Sequence, residues 1–136
     1  MPWGPQAWGE PPSYAHSHAG LRRCVIATVA RSADTPGGQF SEGYVAEDLI
    51  LQTARSLAHE VGLATVTPGA GAALRLLAAA GNAKAVVEIG TGIGVSGLWL
   101  LRGMRRDGVL TTIDVESEYQ RIARRIFVES GFPSGR

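Results

Sequence analysis

The stretch VVEIGTGIGVSG, residues 86–97, decides the reading of this chain. Four glycines fall between positions 90 and 97, directly behind an apolar run. Glycine at that density loses much backbone entropy on folding, so it marks a tight turn or a close approach of ligand to main chain. Upstream, AKAVVEI (83–89) is short and rich in β-branched residues and reads as a strand buried on both faces. Downstream, VSGLWLLRGM reads as a helix from about Val95, with Leu98, Leu101 and Met104 on one side and Trp99 packed beside them. RRDG (105–108) is a turn, and VLTTID (109–114) a second strand ending at Asp114. SEYQRIARRIFVESG (117–131) is a second helix. Its apolar face is Tyr119, Ile122, Ala123, Ile126 and Phe127, with Arg121, Arg124 and Arg125 on a solvated side. Strand, loop, helix, strand, helix begins a doubly wound parallel sheet, so the fold class is α/β.

This order constrains the ligand. A glycine loop between a strand's carboxyl end and a helix's amino end offers backbone N–H groups, and the helix dipole favours a negative group there. An acid at the tip of the next strand, here Asp114, is placed to accept hydrogen bonds from ribose hydroxyls. The ligand therefore carries a ribose and an anionic group.

Two ligand classes fit. GIGVSG (92–97) formally matches the dinucleotide pattern G-x-G-x-x-G. The strand, however, ends at Ile89, so the first glycine in register is Gly90, and the loop reads G-x-G-x-G through Gly90, Gly92 and Gly94. Glu88 lies in the strand's last positions, where its carboxylate would repel a pyrophosphate and attract an ammonium or a sulfonium. S-adenosylmethionine carries a ribose, a carboxylate, an ammonium and a sulfonium.

Outward from this centre, YVAEDLILQTARSLAHEVG (44–62) is helical. Val45, Leu49, Ala54, Leu57 and Val61 share its expected face, Ile50 and Leu51 flank it, Ser41 and Glu42 start it and Gly62 stops it. His59 lies near its end, suited to solvent or to the helix dipole. A further helix begins at the N-cap Thr67 with Pro68 in its first position, shows Leu74, Leu77 and Ala78 on its apolar face, and ends at Gly81-Asn82. Residues 1–41 hold five of the seven prolines and no sustained period, which predicts a low-order leader, RRCVIATVA (22–30) being its one candidate for a short element. Trp3 and Trp8 in it could anchor a partner, and the HSH at His16 and His18 lacks a second ligand pair for a metal. The expected division is 1–41 and 42–136.

Composition narrows the classes. A formal charge of +1 gives no case for nucleic acid. The longest apolar stretch contains Pro68 and Arg75, so no membrane span is expected. Cys24 is the only cysteine, which rules out an internal disulfide and makes a reducing, cytoplasmic setting the expectation.

AVVEIGTGIGVSGLWLLRGM, GVLTTIDVE and VTPGAGAALRLLA together resemble the small class I O-methyltransferases, the family of catechol and caffeoyl-CoA O-methyltransferases, in its actinobacterial form. The resemblance runs from about Gly43 to the end. It implies a Rossmann-like sheet, S-adenosylmethionine as methyl donor and a small-molecule hydroxyl as acceptor. It implies cofactor binding by Val66 through its backbone, by Glu88 at the methionine end, and by Gly90, Thr91, Gly92 and Gly94 in the loop. Ser96 would take the methionine carboxylate and Asp114 the ribose. Glu116 is a possible polar neighbour, better read as a first-turn helix acid. Family members often pair, which leaves a homodimer open.

The family's pattern continues past the point where this sequence reaches GFPSGR. The acceptor pocket and the carboxylates that bind a divalent cation lie there, so the reading expects a donor-site half of a domain, inactive alone, with no catalytic or metal residue to name. Two other functions fit the loop: a dinucleotide-binding half of an oxidoreductase, and a non-enzymatic module that pairs its sheet with another chain.

Overall fold

The computed structural model describes residues 35–135. The first element, α1 (Pro36–Gly43), starts where Thr35 Oγ1 accepts from the Gly38 N–H at 3.0 Å and Pro36 occupies the first turn. Residues 36–41 had been expected in the low-order leader; they form most of this helix instead, because a good cap and a first-turn proline outweigh the proline-rich composition around them. Trp3, Trp8, His16, His18, Cys24 and the stretch 22–30 lie outside the described residues.

The next helix, α2 (Leu49–Glu60), is capped by Asp48, whose Oδ1 accepts from the Leu51 N–H at 3.0 Å. It starts later than the periodicity suggested, and the face that packs on α4 and α5 is the one through Leu51 rather than the one through Leu49. Leu51, Ala54 and Ala58 are fully buried, Val45 and Leu57 pack at the rim, and Leu49 and Val61 face solvent. His59 is exposed in its last turn, as expected.

Thr67 caps α3 (Pro68–Ala80) with Pro68 in the first turn, and Gly81 closes it, all at the expected positions. Its inward face differs. Gly71 and Ala78 are buried while Leu77 is 67 % exposed. The small residues face inward because α3 crosses α4 closely. A Cβ on Gly71 would stand 2.3 Å from Trp99 Nε1, and one on Gly103 would stand 2.2 Å from the Arg75 carbonyl oxygen. Glu42 joins α1 to this helix: its Oε1 accepts from Thr67 Oγ1 at 2.8 Å and its Oε2 from the Gly69 N–H at 2.7 Å.

The strands β1 (Ala85–Ile89) and β2 (Val109–Ile113) run parallel, with Val86 opposite Leu110 and Glu88 opposite Thr112. The helix α4 (Val95–Gly103) connects them, and α5 (Ser117–Glu129) follows. Leu110 packs with Leu101, Met104 and Ala78, and Val86 lies against them. On the opposite face Val87, Ile89, Val109 and Ile113 are exposed. The first strand was expected to be buried on both sides; among the described residues nothing covers this second face, so its burial alternates instead. The larger core joins α2 to α4 and α5 through Leu51, Ala54, Leu98, Trp99 and Ile126. On α5, Ala123 and Ile126 are buried, and Arg121, Arg124 and Arg125 face solvent as the sequence suggested.

Candidate cofactor site

The glycine loop, residues 90–94, lies between the carboxyl end of β1 and the amino end of α4. Its entry is fixed by the sheet, since the Gly90 N–H donates to the Ile113 carbonyl at 2.7 Å. Its exit is Gly94, the residue before the first turn of α4, where no side chain caps the helix. The N-terminal N–H groups of α4 are thus left to other acceptors.

Asp114, the first residue after β2, holds the loop in place. Its Oδ2 accepts from the Gly92 N–H at 2.8 Å and its Oδ1 from the Glu116 N–H at 3.0 Å. These backbone donors, Glu116 first and Gly92 next, hold the Asp114 carboxyl below the usual aspartate range. Each carboxylate oxygen keeps a lone pair, so Asp114 retains acceptor capacity for a ligand. Glu116 precedes α5 without capping it by its side chain.

Glu88 points to the face of the sheet that α4 covers. Ser96 Oγ donates to its Oε1 at 2.5 Å, and Thr112 Oγ1 donates to its Oε2 at 2.7 Å. Thr91, only 3 % exposed, meets Thr112 at 2.8 Å between hydroxyls.

One cavity of about 550 Å³ gathers Val66, Glu88, Gly90, Thr91, Gly92 and Ser96. That volume is within the range of sites for small ligands and cofactors. Two residues named from the sequence stand apart. Asp114 braces the loop at Gly92. Gly94 is buried on the side of α5, where a Cβ would come 2.9 Å from Phe127 Cε1 and 3.1 Å from Ala123 Cβ. A second cavity, about 560 Å³, runs along β2 to Phe132 and Gly135 and shares only Thr91 with the named residues. Among the described residues no group of three or more His, Cys, Asp or Glu side chains is arranged to hold a metal ion.

The cavity wall has a support that the sequence did not reveal. Arg55 Nη1 donates to the Val66 carbonyl at 2.7 Å and to Thr65 Oγ1 at 2.6 Å. Its Nε and Nη2 donate to the two oxygens of Glu47 at 2.9 and 2.6 Å. Thr112 was also missed, although its place two residues before Asp114, on the same strand, was available as a signal.

A parallel strand pair, a glycine loop at a helix N-terminus and an acid at the tip of the second strand define a Rossmann-like α/β architecture. The O-methyltransferase family model matches residues 40–134, and the chain belongs to that family. A Mycobacterium sp. (strain KMS) protein assigned to the O-methyltransferases is 53 % identical over 115 residues, covering 77 % of this chain and 52 % of that protein. The chain therefore spans about half the length of the curated relatives it matches. The O-methyltransferase TomG of Streptomyces achromogenes, solved in complex with SAM, superposes with a TM-score of 0.63 at 36 % identity, covering 68 % of this chain and 43 % of that one. A methyltransferase from Geobacter sulfurreducens gives a TM-score of 0.68 at 25 % identity, covering 74 % and 54 %.

Proposed function

We propose that this chain binds S-adenosylmethionine and supplies the donor site of an O-methyltransferase acting on a small-molecule hydroxyl. The observation that carries the reading is the convergence of Glu88, Ser96, Gly90–Gly92 and the Val66 backbone on one cavity at the uncapped start of α4. Their chemistry fits the donor. The Glu88 carboxylate suits an ammonium, the α4 N-terminus suits a carboxylate, and Asp114 suits the ribose. When bound, S-adenosylmethionine supplies an electrophilic methyl group on sulfur. The residues here hold it: the loop admits it against the main chain, and Glu88 and α4 fix opposite charges of its amino-acid end. TomG, in complex with SAM, supports the same ligand for this chain. The dinucleotide reading gains nothing from the family match, and Glu88 opposes it.

The donor unit comprises residues 42–136, extended upstream by α1, whose Glu42 caps the start of α3. The lone Cys24 supports a cytoplasmic setting, and no described helix is long and apolar enough to cross a membrane. Isothermal titration of the full chain tests the reading. Binding of S-adenosylhomocysteine with no binding of NAD is expected; preference for NAD overturns it.

A further inference from the structure

We infer that Thr112 is a positioning residue that, with Thr91 behind it, aims the Glu88 carboxylate at the cationic group of the cofactor; this rests on the donor reading above. The argument is about where three hydroxyl protons go. An ionised carboxylate only accepts, so Ser96 and Thr112 each direct their single O–H at Glu88. The Thr112 proton being so placed, the contact between Thr91 and Thr112 is made by the Thr91 hydroxyl donating. The hydrogen bonds thus run one way, from Thr91 to Thr112 to Glu88.

Strand register places this chain. Glu88 and Thr112 are directly opposite on β1 and β2. A cross-strand neighbour fixed by the sheet cannot drift as a loop residue can, so Thr112 locks one carboxylate oxygen and Ser96 the other. Without Thr112, Glu88 could turn about its side-chain bonds, and its charge would be spread over several positions. Ser96, its one proton turned to Glu88, leaves the methionine carboxylate to the backbone N–H groups at the start of α4, and the doubly held Glu88 carboxylate to the cation. The chemistry recognised here is an ammonium beside a nucleoside.

The test compares two ligands that differ in that group. S-adenosylhomocysteine carries the amino-acid end; 5′-methylthioadenosine keeps the nucleoside and lacks it. In Thr112→Val, affinity for the first falls about ten- to hundredfold, the scale of a hydrogen bond to a charged group, while affinity for the second changes less than about twofold. Thr112→Ser, which restores the hydroxyl, returns the first affinity to near the unmodified chain. Unchanged binding of S-adenosylhomocysteine in Thr112→Val, or equal loss of both ligands, overturns the inference. Should Thr112→Val fail to fold, Thr91→Val must still weaken the first ligand selectively, and an equal effect on both refutes the proposal. A failure of the unmodified chain to bind either ligand would instead refute the donor reading itself.

Discussion

Arg55 and Val66 are joined by a hydrogen bond of 2.7 Å from a guanidinium N–H to a backbone carbonyl. The same guanidinium grips both oxygens of Glu47, whose side chain is 8 % exposed, and Trp99 Nε1 approaches that carboxylate at 3.4 Å. A pre-helix segment, α2, the cavity wall and α4 are thereby tied together. Arg55→Met removes three partners at once and leaves Glu47 a nearly buried, unpaired charge. The expected cost is about 2–3 kcal/mol of unfolding free energy, below the full penalty for a buried pair because Arg55 is partly solvated. The double variant Arg55→Met with Glu47→Gln recovers part of that loss in urea denaturation. A double variant no more stable than the single one would show that the stranded charge is not the source.

Close helix crossing sets a second expectation. The Cβ of Gly103→Ala would fall 2.2 Å from the Arg75 carbonyl oxygen, a backbone atom that cannot swing aside. Separating α3 from α4 is the alternative, and overpacking of this kind costs about 1–3 kcal/mol. Gly43→Ala, at the end of α1 with nothing within 4 Å of the added carbon, serves as the control. Its stability is expected to hold or rise by about 0.5 kcal/mol, from helix propensity alone. Equal midpoints for the two variants would contradict the packing argument.

The part of this architecture legible beforehand is the part set by local chemistry. Thr67-Pro68, Gly81-Asn82 and the end of β1 at Ile89 are cap, stop and turn signals readable within a few residues. The run from Glu88 to Asp114 was legible because strand–loop–helix–strand order fixes which residues meet at the sheet's carboxyl edge. Leu49 and Leu77 were misplaced because their burial depends on which side α2 turns to α4 and α5 and on which side α4 crosses α3. Arg55 escaped notice for a related reason: its partners Glu47 and Val66 lie 8 and 11 residues away, with a helix and a turn between. Thr112 had a sequence signal in its spacing from Asp114, but its pairing with Glu88 is a cross-strand relation that only the register gives.

Asp114 makes the apo protein acid-sensitive in a defined direction. Its folded-state carboxyl is lowered by the Glu116 and Gly92 N–H groups, so the unfolded chain binds a proton first as pH falls. The stabilisation is fully present above the unfolded value of about 3.9 and is lost as pH drops through the lower folded value. Asp107 and Glu118 are shifted the same way by Arg105 and Arg121, so the whole protein's acid slope is a sum. The difference between the unmodified chain and Asp114→Asn isolates this one group. Melting temperatures of the two are expected to converge below about pH 4 and to separate above it. A gap constant across that range would place the Asp114 contribution elsewhere than in its charge.

Gly90 and Gly94 divide the labour of the loop, and their alanine variants should separate binding from folding. Both have positive φ, +96° at Gly90 and +91° at Gly94, so each substitution carries backbone strain of about 1–2 kcal/mol. Beyond that the two sites differ. A Cβ at Gly94 would press on Phe127 at 2.9 Å and Ala123 at 3.1 Å, driving α5 away from the loop. At Gly90 the same carbon meets nothing within 4 Å and lies in the wall of the cavity where the cofactor is proposed. Gly94→Ala is therefore expected to be the less stable variant by about another 1–3 kcal/mol in urea denaturation. Gly90→Ala is expected to keep most of its stability yet lose S-adenosylhomocysteine affinity by about tenfold or more, since its methyl occupies ligand space. Unimpaired binding by a folded Gly90→Ala would move the nucleoside off this loop, because a ligand seated against the main chain at Gly90 has no room for that carbon.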